Sequence, residues 1–217
     1  MELYYLPGSA AMAAMAALEE AGADYDAVRV VRENGRTVSP PDYRRISPHG
    51  RVPALVDGEV TLHESAAIVL HVGERFPGSR LLPPAGTPER SDFYRWLMYL
   101  TNTLQATFMW WFYPERVVGS DEAAAAAIVA GSERQLNEMF DWIDSSLAPG
   151  SYLLGDEFSG ADLYLHMLTR WGRNLDRKAW TLPALGDHYR RLSERPSVAR
   201  MMERQGIEAY PDDSDET

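Results

Sequence analysis

Residues 47–72 read SPHGRVPALVDGEVTLHESAAIVLHV, and this stretch decides the fold. Pro53 to Val56 and Val60 to His63 are two short strand-like runs around Asp57-Gly58, a dipeptide that favours a tight hairpin. From Glu64 the spacing turns helical through Ile68, Leu70 and Val72, and it stops before Pro77-Gly78. Upstream, strand and helix signals alternate. Glu2 to Leu6 is a short strand broken by Pro7-Gly8, and Ser9 is placed to cap a helix of Ala and Met from Ala10 to Ala21, closed by Gly22. Asp26 to Val31 alternates as a second strand. Residues 33–50 carry Gly, Pro, Ser and Arg and read as loop, with one short helix at Asp42 to Ile46. The order β-α-β-α-β-β-α over residues 1–80 predicts a mixed sheet with helices packed on it.

Leu81 to Pro88, LLPPAGTP, predicts a linker, because its prolines cannot continue a helix. No strand pattern follows. Phe93, Trp96, Leu97, Leu100, Leu104, Phe108 and Trp111 recur at three- and four-residue steps along one helix face. Further helices are expected over Ser120–Leu147, Ser159–Trp171, Pro183–Leu192 and Pro196–Gln205. The fold class is therefore α/β plus all-α: an N-terminal domain 1–80, a linker 81–88, a helical-bundle domain 89–206 and an acidic tail 207–217 that holds Asp212, Asp213, Asp215 and Glu216. Ser159-Gly160-Ala161-Asp162 has the pattern of a capping box, with Phe158 and Leu163 as its hydrophobic staple, and carries no chemistry.

Composition narrows the function. The 217 residues are 45% hydrophobic and 24% charged, an ordinary globular balance. The net charge of −11 argues against nucleic acid or an anionic membrane as partner. Neither a membrane-length apolar run nor a secretory pattern at Met1-Glu2-Leu3 is read, so a cytoplasmic location is expected. There is no cysteine, so any thiol chemistry uses a thiol that a ligand brings. The five histidines, His49, His63, His71, His166 and His188, lack metal-ligand spacing, and no P-loop, GxGxxG or GxSxG occurs.

Three segments, YYLPGSA at 4–10, the opening stretch at 47–72 and YLLGDEFSGADLYL at 152–165, together resemble bacterial glutathione transferases, most closely the beta class, and the resemblance runs over residues 1–206. It implies a thioredoxin-like first domain, glutathione as cosubstrate with no covalently bound cofactor, a homodimer, and conjugation of the thiol to small apolar electrophiles. It also implies a cis Val52–Pro53 bond that leaves the Val52 backbone open to pair with an extended peptide. Pro53 beginning an ordinary edge strand is the other use of that residue. At Glu64-Ser65 the resemblance implies that Ser65 holds the γ-glutamyl carboxylate at a helix mouth and that Glu64 faces the ammonium group. Plain capping is the alternative there. His49, Arg51 and Arg36 lie in the loop that could reach the glycine carboxylate of glutathione.

Two positions depart from the beta class. Its active-site cysteine aligns with Ala10, and its histidine early in the helical domain aligns with Gln105. Chemistry that needs a protein thiol is excluded. A thiol of pKa about 8.5 must drop about 1.5 units to be half ionised at pH 7, which takes about 2 kcal/mol. A helix N-terminus supplies about 0.3–1 kcal/mol, and a hydrogen bond to a charged acceptor about 1.5–3 kcal/mol. One hydroxyl at the start of the first helix would suffice. Ser9 and Tyr5 are the candidates, against the alternatives of an N-cap for Ser9 and core packing for Tyr5. Gln105, Phe108, Trp111 and Trp171 could line an apolar acceptor cleft between the domains, or simply be core or dimer contacts. Two other functions fit the same residues: a non-catalytic carrier of apolar ligands, and an isomerase or dehalogenase of the same superfamily.

Overall fold

A computed structural model describes residues 1–33, 36–147 and 150–208, without the side chains of residues 33 and 36–38. The chain divides into two compact units. One is Met1–Leu82 together with the segment that begins at Ser193, and the other is Pro83–Leu192.

The first unit is built on a four-stranded sheet of β1 (Glu2–Tyr5), β2 (Asp26–Arg29), β5 (Ala54–Asp57) and β6 (Val60–His63), in the order β2-β1-β5-β6. β1 runs parallel to β2 and antiparallel to β5, and β5 and β6 form a hairpin. Asp57 pairs with Val60, so the loop is Gly58-Glu59, and Gly58 sits at φ 61° where a side chain would be strained. Helix α1 (Ala11–Glu20) connects β1 to β2, α2 (Tyr43–Ile46) precedes β5, and α3 (Ser65–Arg75) follows β6. The β-α-β-α-β-β-α order is thus present with one addition. Residues 33–50 are not all loop before α2: β3 (Val31–Glu33) and β4 (Arg36–Ser39) form a separate antiparallel pair. In sequence, Asn34-Gly35 between them is a hairpin dipeptide of the kind read at Asp57-Gly58.

Nine of the ten residues of α1, Ala11 through Glu19, are buried. A helix apolar on all sides must be covered on all sides. Its small Ala and flexible Met side chains admit two partners, α3 and a last helix, α10 (Pro196–Gln205). Sequence spacing placed α10 with the helical domain, but packing places it with the sheet. It buries Val198, Met201 and Met202, and its arginines meet the acidic end of α1. Arg195 pairs with Glu20 at 2.6 Å, while Arg200 and Arg204 both pair with Glu19, at 2.8 and 2.7 Å. These contacts overcome the burial of both carboxylates and hold them below the usual carboxylate range.

The second unit is helical: α4 (Pro88–Tyr99), a π-helical stretch Leu100–Gln105, α5 (Ala106–Phe112), α6 (Glu115–Val118), α7 (Glu122–Leu147), α8 (Gly160–Trp171) and α9 (Pro183–Ser193). Pro88 begins α4 behind a Thr87 cap, so the linker prolines end where the helix starts. The centre is aromatic. Phe108 is fully buried against Phe112, Phe140 and Trp171, with ring centroids 5.7–6.0 Å apart among these contacts. The capping box at the head of α8 is formed and buried, and Asp162 is its hub. Its carboxylate accepts from the N–H groups of Ser159 and Leu153, from the Ser159 hydroxyl and from His188 Nε2. Among the described residues, no helix is long and apolar enough to cross a membrane.

Candidate active site

The site grows from three chain segments of the first unit. The first is the turn between β1 and α1. Gly8, at φ 69°, turns the chain after Pro7. Half-buried Ser9 follows, and its hydroxyl donates to the Leu6 carbonyl at 2.7 Å and accepts from the Ala11 N–H at 3.2 Å. The N-cap of α1 is Ala10, without a side-chain cap, and Ser9 sits one residue before it, with its hydroxyl accepting from the first N–H of the helix. Tyr5 is 8% exposed, and its hydroxyl donates to the Arg204 carbonyl at 3.4 Å. Strand alternation points its neighbour Tyr4 the other way, into a core cluster with Val30, Tyr43 and Ala54. Of the two candidate hydroxyls, Ser9 is the more accessible.

The second segment is the loop 47–53. Ser47 Oγ donates to the Arg51 carbonyl at 2.8 Å and accepts from the Arg51 N–H at 3.1 Å, and the Tyr43 hydroxyl donates to that same carbonyl at 2.6 Å. The Arg51 backbone is thereby fixed on both sides directly before Val52. The Val52–Pro53 bond is cis. Strand pairing begins at Ala54 opposite His63, so Val52 lies outside the ladder, and extending that register brings it level with Ser65. Pro53 is buried and Val52 half-buried.

The third segment is the head of α3. Glu64 is exposed and holds φ 67°, ψ 118°, a conformation that costs a non-glycine residue about 1–3 kcal/mol. Ser65 is 3% exposed, and its hydroxyl donates to the carbonyl of Ala10 at 2.8 Å. That bond ties the mouth of α3 to the mouth of α1. The N–H groups of the first turn of an eleven-residue helix remain as anion donors.

The other predicted residues are placed less centrally. His49 and Arg51 have exposed side chains, and the Arg36 side chain lies outside the described residues although its backbone is in β4. In the helical unit, the Gln105 side chain accepts from the Tyr164 hydroxyl, and Trp111 donates from Nε1 to Glu133 at 3.2 Å. Phe108 and Trp171 need correcting as pocket lining, since they are 0% and 6% exposed and spend their faces on each other and on Phe112. Sequence reasoning did not find Gln205 and Arg204, the residues of α10 that reach the Tyr5–Gly8 turn.

Known proteins resemble the chain over most of its length. The family model for the glutathione S-transferase N-terminal domain matches residues 1–74, and that for the glutathione S-transferase C-terminal domain matches residues 104–196. The chain belongs to the glutathione S-transferase family. It is 28% identical to glutathione S-transferase GstA of Escherichia coli O157:H7, a match that spans 95% of this chain and all of the relative. The structure of the beta class enzyme of Sphingomonas chungbukensis superimposes with a TM-score of 0.83 at 31% identity, over 96% of this chain and 100% of that one. A sphingomonad glutathione S-transferase complexed with glutathione matches with a TM-score of 0.83 at 30% identity and the same coverage.

Proposed function

We propose that the chain binds glutathione across Val52, Pro53, Glu64 and Ser65 and directs its thiolate, activated by Ser9, at a small apolar electrophile. The observation that carries this reading is the Ser65 hydroxyl on the Ala10 carbonyl, which joins the mouths of α1 and α3, beside a cis Val52–Pro53 bond whose preceding Arg51 backbone is held by Ser47. The cysteinyl residue of glutathione pairs with the Val52 backbone as an added strand. The γ-glutamyl carboxylate meets the N–H groups at the head of α3, and exposed Glu64 faces the ammonium group. His49, Arg51 and Arg36 remain candidates for the glycine carboxylate. Tyr5 remains the rival donor. A homodimer and a cytoplasmic location complete the reading, on the strength of the family alone.

Ala10 has no thiol, so stabilising the thiolate falls to a hydroxyl. The α1 dipole contributes about 0.3–1 kcal/mol of the 2 or so required. The Ser9 hydroxyl supplies the remainder by exchanging its bond to the Leu6 carbonyl for one to the charged sulfur. Ser9→Ala should therefore lower turnover with an aromatic chloride about tenfold or more at pH 7, with glutathione affinity retained. Unchanged turnover would move the role to Tyr5. A native protein that is not stabilised by glutathione but is by apolar dyes would be a carrier instead.

A further inference from the structure

The last helix is placed to control the thiol end of the site. Gln205 on α10 is 5% exposed, and its Oε1 accepts from the Gly8 N–H at 3.0 Å across 197 residues of sequence. Its Nε2 faces Met15 Sδ on α1 at 3.6 Å. One residue earlier, the Arg204 carbonyl accepts from the Tyr5 hydroxyl. The two ends of the Tyr5–Gly8 turn are thus attached to consecutive residues of α10, on either side of Pro7. The helix is itself anchored to the far end of α1 by Arg195, Ser197, Arg200 and Arg204 on Glu19 and Glu20.

We infer that Gln205 is a positioning residue for thiol activation: it sets the Gly8 turn and so aims the Ser9 hydroxyl. This rests on the function proposed above. Gly8 is the hinge of the turn, at φ 69°. The Ser9 N–H bonds back to Leu6 at 3.3 Å, and its hydroxyl bonds to the same carbonyl. A shift at Gly8 is passed directly to the Ser9 oxygen, with no other residue between them. The γ-glutamyl end is proposed to bind at the head of α3, whose hydrogen bond to this segment, from the Ser65 hydroxyl to the Ala10 carbonyl, lies beyond Ser9. Gln205 therefore acts first on the sulfur and less on the anchoring of the tripeptide.

Two variants of the full chain separate this role from a purely structural one. Gln205→Met keeps the length and the apolar contact and removes the acceptor, while Gln205→Glu keeps an acceptor and charges it. Exchange of the Gly8 amide, read by NMR, should be about tenfold faster in Gln205→Met, the factor equivalent to one bond of about 1.4 kcal/mol. It should be slower than native in Gln205→Glu, because a charged acceptor binds the N–H more strongly. Gln205→Met should also raise the pKa of the bound glutathione thiol and lower kcat several-fold, with KM for glutathione within twofold. The inference is overturned if Gly8 exchange is the same in all three proteins, or if KM rises as much as kcat falls. Should Gln205→Met fail to fold, unslowed exchange in Gln205→Glu overturns it alone. A native protein that binds no glutathione, while its Gly8 amide responds as described, removes the proposed function and the thiol step but retains the turn-setting contact.

Discussion

Asp162→Ala should be among the most destabilising single changes in the helical unit. The carboxylate is fully buried and takes four bonds: Ser159 N–H at 2.8 Å, Leu153 N–H at 2.9 Å, Ser159 Oγ at 3.1 Å and His188 Nε2 at 3.1 Å. The Ser159 hydroxyl can rotate to another acceptor. The two backbone N–H groups cannot, and each buried donor left unpaired costs about 1–3 kcal/mol. His188, 1% exposed with Nδ1 already unpartnered, loses its one hydrogen bond as well. The sum over these three donors is about 3–9 kcal/mol, comparable with the 5–15 kcal/mol typical of a whole domain. Urea unfolding followed by tryptophan fluorescence measures it. Ser159→Ala is the control, because it removes one hydroxyl bond and leaves both N–H groups paired, for about 0.5–1.5 kcal/mol. A loss below about 1 kcal/mol in Asp162→Ala, or equal losses in the two variants, would refute the hub.

Glu64→Gly should raise the melting temperature while weakening glutathione binding. It relieves a positive φ at a cost in chain entropy of about 0.5–1 kcal/mol, and calorimetry with and without glutathione separates the two effects. His166 is buried, with His188 and Arg170 nearby, and its pKa is pushed down from 6.5 to about 3. The unfolded chain binds this proton near pH 6.5 and the folded chain does not, so stability is full above that pH and falls on acidification towards 3. The slope from this one group is up to about 1.4 kcal/mol per pH unit. His166→Phe, which keeps a ring on Tyr189, should flatten the denaturation free energy between pH 6 and 4 by about that slope, as read by urea titrations at each pH.

How much of this was legible in sequence follows from the range of each interaction. The β5–β6 hairpin, α3 and the capping box at Ser159–Asp162 are local patterns, and all of them formed. The β3–β4 pair was hidden because Pro40, Pro41 and the arginines around it give the segment the composition of a loop, although Asn34-Gly35 was a usable signal. The placement of α10 was not legible. Its apolar face reads the same whichever neighbour covers it, and what decides is the pairing of Glu19 and Glu20 with arginines some 180 residues away. Gln205 on Gly8 was invisible for the same reason. Within the site, spacing alone left Ser9 and Ser65 as plain caps and Pro53 as an ordinary edge-strand start, and their proposed roles come from the family resemblance, while the aromatic stripe overshot: periodicity cannot distinguish Phe108, which is core, from half-buried Trp111.

A crystal structure of the chain with glutathione tests the central claim most directly. The account predicts the cysteinyl N–H and C=O on the Val52 backbone, the γ-glutamyl carboxylate at the head of α3, and the sulfur within hydrogen-bond reach of Ser9 Oγ. A tripeptide bound elsewhere on the chain, or a sulfur facing Tyr5 with the Ser9 hydroxyl still on the Leu6 carbonyl, would contradict it.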